Sequence, residues 1–108
     1  MGYSIRYTTE AARDLRKLTT FEVKNTGESR GIDHLRSMLE SLADNPNIGT
    51  LYDESFDVRQ IHVPYGKSGY SALYKVHDVI EIVGILRINS PRLIHISRNR
   101  KQIPKVGL

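Results

Sequence analysis

The chain contains no cysteine. Without a thiol it can form no disulfide framework, no thiolate nucleophile and no sulfur-ligated zinc site, which suits a reducing cytoplasm. Long apolar runs are missing too. The longest, residues 79–88, contains Glu81 and Arg87 and reaches about half the ~20 residues that a membrane-spanning helix requires. The opening Met1-Gly2-Tyr3-Ser4-Ile5-Arg6 lacks a basic segment followed by an apolar one, and Arg6 departs from the myristoylation pattern. A cytoplasmic protein without signal peptide or membrane anchor is expected. Internal repeats and low-complexity segments are absent from the sequence.

The 108 residues present fit one folded domain, expected over residues 1–108 with a basic C-terminal arm from about residue 89. Apolar residues make up 39% and charged residues 26%, the composition of a chain that folds around a core. Sixteen Lys and Arg against twelve Asp and Glu give a net charge of +4. That balance favours an anionic partner: nucleic acid, an acidic protein surface or a negatively charged inhibitor. It also fits a basic domain that is merely soluble.

Residues 3–7 alternate and are rich in β-formers, so they predict a first strand. Thr8 or Thr9 can cap a following helix, with Glu10 near the positive end of its dipole. Ala11, Leu15 and Leu18 recur at helical spacing, while Arg13, Arg16 and Lys17 fall on the other side, as a basic stripe or a solvated face with Asp14 paired to Lys17. The polar cluster Asn25-Thr26-Gly27-Glu28-Ser29 breaks this helix before a second one. Ile32, Leu35, Met38, Leu39 and Leu42 form the second apolar stripe, ended by Asn45-Pro46. Residues 46–54 read as a loop. The period then changes to two, predicting strands at residues 56–63, 70–76 and 79–88, the last apolar on both faces. Gly66-Lys67-Ser68-Gly69 and His77-Asp78 link them. Such links are too short for parallel crossovers, so these three strands are antiparallel. From Asn89 onward Arg92, Arg98, Arg100, Lys101 and Lys105 stand without one acidic residue. Leu93-Ile94-His95-Ile96 can add a short strand, followed by an extended arm.

An α+β order of strand, helical hairpin and antiparallel meander, carried by particular residues, resembles the RelE/ParE toxins of type II toxin-antitoxin systems. Ile5-Arg6-Tyr7-Thr8-Thr9-Glu10-Ala11-Ala12-Arg13-Asp14-Leu15 is similar to the family's opening strand and helix. Asn45-Pro46-Asn47-Ile48-Gly49 stands where the family has a Pro-x-x-Gly turn. Val58-Arg59-Gln60-Ile61, Ser68-Gly69-Tyr70-Ser71-Ala72-Leu73-Tyr74 and Val83-Gly84-Ile85-Leu86-Arg87-Ile88 are similar to its last strands. The likeness covers residues 3–88. After it, Asn89-Ser90-Pro91 interrupts where family members carry a His and one or two Arg.

The resemblance implies one of two targets. ParE-like members bind DNA gyrase, whereas RelE-like members cut messenger RNA in the ribosomal A site. RNA cleavage through the 2′-hydroxyl needs a base, a proton donor and cations against the phosphorane. The arginine that RelE places after the Gly-Tyr pair is Ser71 here, its lysine-bearing strand corresponds to Gln60, His62 and Pro64, and no tyrosine follows Tyr74. The ParE-like reading, inhibition of gyrase by binding, is therefore preferred, with no catalytic residue assigned.

Were the chain a nuclease, Arg59, His62, Lys67 and Arg87 are the candidates, with His77 as a second base. For target binding they are Arg59, Lys67, Tyr70, Arg92, Arg98 and Arg100. Tyr70 and Tyr74 share a strand face and equally suit core packing with satisfied hydroxyls. A cognate antitoxin is the implied partner, expected on Leu15, Leu18, Leu35 and Leu39 or on the sheet edge. No cofactor and no metal is expected. A third reading is a bare nucleic-acid-binding module built on Tyr65, Lys67, Tyr70 and Lys75.

Overall fold

The computed structural model describes residues 2–66 and 69–90. Strand β1 (Ser4–Tyr7) leads into helix α1 (Thr9–Thr26). Thr8 caps α1, its Oγ1 accepting from the Ala11 amide at 3.0 Å, and Glu10 in the first turn and Lys24 in the last complement the dipole. Gly27 ends the helix in the left-handed region at φ 77°, its amide donating to the Val23 carbonyl. Helix α2 (Arg30–Glu40) tightens into a 3-10 turn, Ser41–Ala43, ahead of Asn45-Pro46. Strands β2 (Thr50–Asp53), β3 (Val58–Val63), β4 (Tyr70–His77) and β5 (Ile82–Asn89) follow.

The sheet runs β1-β5-β4-β3-β2. Strands β2 to β5 pair antiparallel, whereas β1 joins β5 in parallel, with almost the whole chain between the two. One face packs on the helices. Leu18, Ile32, Leu35, Leu39 and Leu42 meet Val63, Tyr74, Val83 and Ile85 in the core, and each fully buried aliphatic side chain contributes about 1.5–3 kcal/mol. The other face carries no helix among the described residues.

Five expectations are corrected. The stretch read as a loop holds edge strand β2. Strand β3 starts at Val58, because Ser55, Phe56 and Asp57 form a turn with Asp57 at φ 57°. The link between β4 and β5 spans residues 78–81, so Val79 is 97% exposed and Ile80 63% exposed, while His77 ends a strand. The apparent two-faced apolarity of β5 is a shift of parity. Leu73 pairs with Arg87 and Tyr74 with Ile85, leaving Leu86 as the extra residue of a bulge. Val83 and Ile85 before it and Ile88 after it thus all face the helices.

The fifth correction is Asp14, which pairs with Arg87 and not Lys17. Strand β1 covers β5 only through Ile85. Beyond it, Thr8 Oγ1 donates to the Leu86 carbonyl at 2.9 Å and Asp14 Oδ2 accepts from the Ile88 amide at 2.9 Å. Arg87 reaches round this edge to the same carboxylate, at 2.8 and 3.1 Å.

Gly49 is fixed by close approach. Its amide donates to the Tyr74 hydroxyl at 2.8 Å, and a Cβ there would lie 2.6 Å from both that oxygen and the Gln60 carbonyl. Gly49→Ala should cost about 1–3 kcal/mol, read as a lower denaturant midpoint; an unchanged midpoint would show that the turn yields freely.

Burial, chiefly, raises the Tyr74 and Tyr7 hydroxyls above the usual 10.0; the Gly49 bond and Arg59 oppose it at Tyr74, while Glu40 adds to it and Arg36 opposes it at Tyr7. A phenol whose folded pKa exceeds its unfolded one adds stability that is complete below the unfolded value and lost as pH rises through the folded one. Stability should therefore hold to about pH 9 and fall above pH 10. Denaturant titrations at pH 8, 10 and 11 with tyrosinate absorbance check it; equal midpoints at all three would contradict it.

Candidate functional site

The sheet's open face is set by strand alternation. Gln60 and His62 of β3 lie opposite Leu73 and Ser71 of β4, which in turn lie opposite Arg87 and Asn89 of β5. This end presents one imidazole, His62, with small polar neighbours. Further along, Lys75 pairs with Gly84 and Gly84 with Arg6. The one carboxylate in register with this face, Asp53 opposite Val58, is turned to the amides of Ser55 and Phe56 at the β2–β3 turn.

The described residues among the nuclease candidates do not converge. Arg59 faces the other way, its Nη1 donating to the Gly49 carbonyl at 2.8 Å. Arg87 is ion-paired to Asp14. His62 is exposed on the open face, and His77 lies at the far end of β4. Lys67 falls outside the described residues, as do Arg92, Arg98 and Arg100.

Tyr70, a candidate for target contact, faces the helices and is buried, its hydroxyl donating to Glu22. Tyr74, on the same face, is fully buried with its hydroxyl bonded to Gly49. The core-packing reading of both tyrosines holds. Leu18, Leu35 and Leu39 lie inside the core and Leu15 packs against it. A partner could reach the first three only by opening the protein.

A pocket of about 530 Å³ opens at the other end of the helices, lined by Phe21, Glu22, Glu28, Tyr65, Tyr70 and Ser90 among others. Glu22 had no role in the sequence reading. It continues the stripe Ala11, Leu15, Leu18 by four residues, so a carboxylate on the buried side of α1 was the available signal. Its oxygens accept from the Tyr70 hydroxyl and, at 2.7 Å, from the Gly31 amide, tying α1 to β4 and to the start of α2. Among the described residues no cluster of His, Asp and Glu could hold a metal ion, and no helix is long and apolar enough to cross a membrane.

A helical hairpin on one side of a five-stranded sheet, with no helix on the other side among the described residues, makes a small α+β fold. The model of the ParE toxin of type II toxin-antitoxin systems (parDE) matches residues 5–92. The chain belongs to that family of toxins, within the RelE/ParE superfamily.

Solved structures agree on the fold. The chromosomal ParDE system from P. aeruginosa is similar with a TM-score of 0.65 at 22% identity, covering 82% of this chain and 95% of that one. The toxin-antitoxin complex RelBE2 from Mycobacterium tuberculosis gives 0.62 at 25% identity, covering 83% and 99%. The isolated E. coli RelE toxin gives 0.62 at 20%, covering 91% and 97%. The comparison with curated proteins found no match.

Proposed function

We propose that this toxin stops growth by binding DNA gyrase, without turning over a substrate, and that a cognate antitoxin neutralises it. The observation that carries the reading is the dispersal of the proton-transfer and phosphate-stabilising candidates. Arg59 is committed to a carbonyl on the helix side, Arg87 to Asp14, and the hydroxyls of Tyr70 and Tyr74 to Glu22 and Gly49. RNA cleavage requires such groups around one phosphate. Recognition of a protein target requires only a shaped surface. The match to the ParE model supports the same direction, and the ParDE and RelBE structures pair toxins of this fold with antitoxins.

For the antitoxin, an apolar surface open to a partner among the described residues lies along edge strand β2 and its turns, where Ile48, Leu51, Tyr52 and Phe56 are exposed. An extended segment pairing with that free edge would cover them. Tyr52→Lys with Phe56→Lys should then release a co-expressed antitoxin without unfolding the toxin. Retained binding would move the contact elsewhere.

Induced expression in cells tests the target. Double-strand breaks and an SOS response with messenger RNA intact are expected. Rapid loss of message cut at A-site codons would instead establish the ribosome-dependent nuclease. If the tail meets the target, Arg98→Ala with Arg100→Ala weakens the arrest; undiminished arrest removes those arginines from the contact.

A further inference from the structure

Across the middle of the open face, one row of the sheet holds Arg6 on β1, Gly84 on β5 and Lys75 on β4. Adjacent strands lie about 4.8 Å apart, so the Cα atoms of Arg6 and Lys75 stand roughly 10 Å apart with no side chain between them. His77, two residues along β4, leans into the same gap: a Cβ built at Gly84 would meet only its Nε2, at 3.8 Å. The glycine thus leaves a gap in this face between the Arg6 and Lys75 positions, bordered by the His77 imidazole.

None of the three has a hydrogen-bond or ion-pair partner among the described residues. Asp78 accepts from the Tyr3 hydroxyl at 2.7 Å, and Asp78 and Glu81 both raise the pKa of Tyr3, whose ring packs against the core side. Asp53, on the far strand, is held in its own turn. Three basic side chains with no ion pair among the described residues therefore occupy neighbouring positions on this face.

We propose that Arg6, Lys75 and His77, around Gly84, form a subsite for a phosphate group. A tetrahedral phosphate offers oxygens towards all three donors at once, whereas a carboxylate offers two oxygens in one plane. The site takes in His77, named above as a second base, while the described candidates Arg59, His62 and Arg87 occupy other register positions. It lies four residues along β4 from Ser71, about 13 Å, and away from His62 and Asn89. The group can arrive as a free phosphate or as a phosphodiester of a nucleic-acid strand.

Amide NMR spectra of the purified ¹⁵N-labelled protein decide it. Inorganic phosphate is titrated at constant ionic strength, and in a second series an oligothymidylate without terminal phosphates. Saturating shifts confined to Arg6, Lys75, His77, Gly84 and their neighbours are expected. Shifts in both series identify the backbone phosphodiester as a ligand; shifts with inorganic phosphate alone identify a free or terminal phosphate. Arg6→Gln and Lys75→Gln should each weaken binding about tenfold. Gly84→Ala, which fills the gap without changing charge, should weaken it severalfold in a protein whose spectrum stays folded. Shifts that never saturate, that spread equally over Arg13, Arg16 and Arg36, or that survive Gly84→Ala unchanged would overturn the proposal.

Discussion

Replacing Glu22 by alanine is expected to destabilise the protein by about 3 kcal/mol or more, a large share of the roughly 5–15 kcal/mol that holds a domain of this size. The carboxylate is 7% exposed and serves the Tyr70 hydroxyl and the Gly31 amide. Truncation removes the acceptor of the Gly31 amide and the bond between Glu22 and the Tyr70 hydroxyl, at about 1–3 kcal/mol for a group left without a partner. Glu22→Gln keeps one acceptor oxygen and should cost less. In a double-mutant cycle, Tyr70→Phe should cost less once Glu22 is alanine than in the parent protein, because the bond between the two is then already gone. Additive losses in denaturant titrations would show that the pair is not coupled.

Asp14→Ala should cost about 2–3 kcal/mol, while Arg87→Gln should cost under about 1 kcal/mol. The ion pair joins the same two residues, but the costs differ because Asp14 also accepts from the Ile88 amide. The Arg87 side chain is 53% exposed and that of Asp14 12%, so solvent screens the pair and leaves the lost amide acceptor as the larger part. Equal midpoints for the two variants would contradict this assignment. Arg87→Gln should also leave toxicity intact.

The layout was legible where periodicity is strong. The stripes of α1 and α2, a threonine cap at Thr8 or Thr9, a break within residues 25–29 and the alternation of β3 and β4 each follow from local rules that tertiary packing did not override. Strand β2 was not legible, because an edge strand of four mostly exposed residues shows no apolar alternation. Val79 and Ile80 misled for the opposite reason: they are β-branched or apolar, yet stand exposed in a turn. The parallel pairing of β1 with β5 depends on contacts nearly eighty residues apart, beyond the reach of any local pattern.

For the site, residue types were readable and sides were not. Arg59 and His62 lie three apart on β3 and so point to opposite faces. The bulge at Leu86 and the reach of Arg87 to Asp14 are set by neighbouring elements. Residue lists from sequence therefore grouped arginines that the fold separates. They passed over Arg6, which the parallel strand carries to the row of Gly84 and Lys75.

The most direct measurement is made with purified components. The chain is incubated with DNA gyrase, relaxed plasmid and ATP, and in parallel with ribosomes translating a defined message. Binding without catalysis predicts lost supercoiling and accumulating gyrase-linked broken DNA, with the message uncut. Undisturbed supercoiling together with cuts at A-site codons would contradict it.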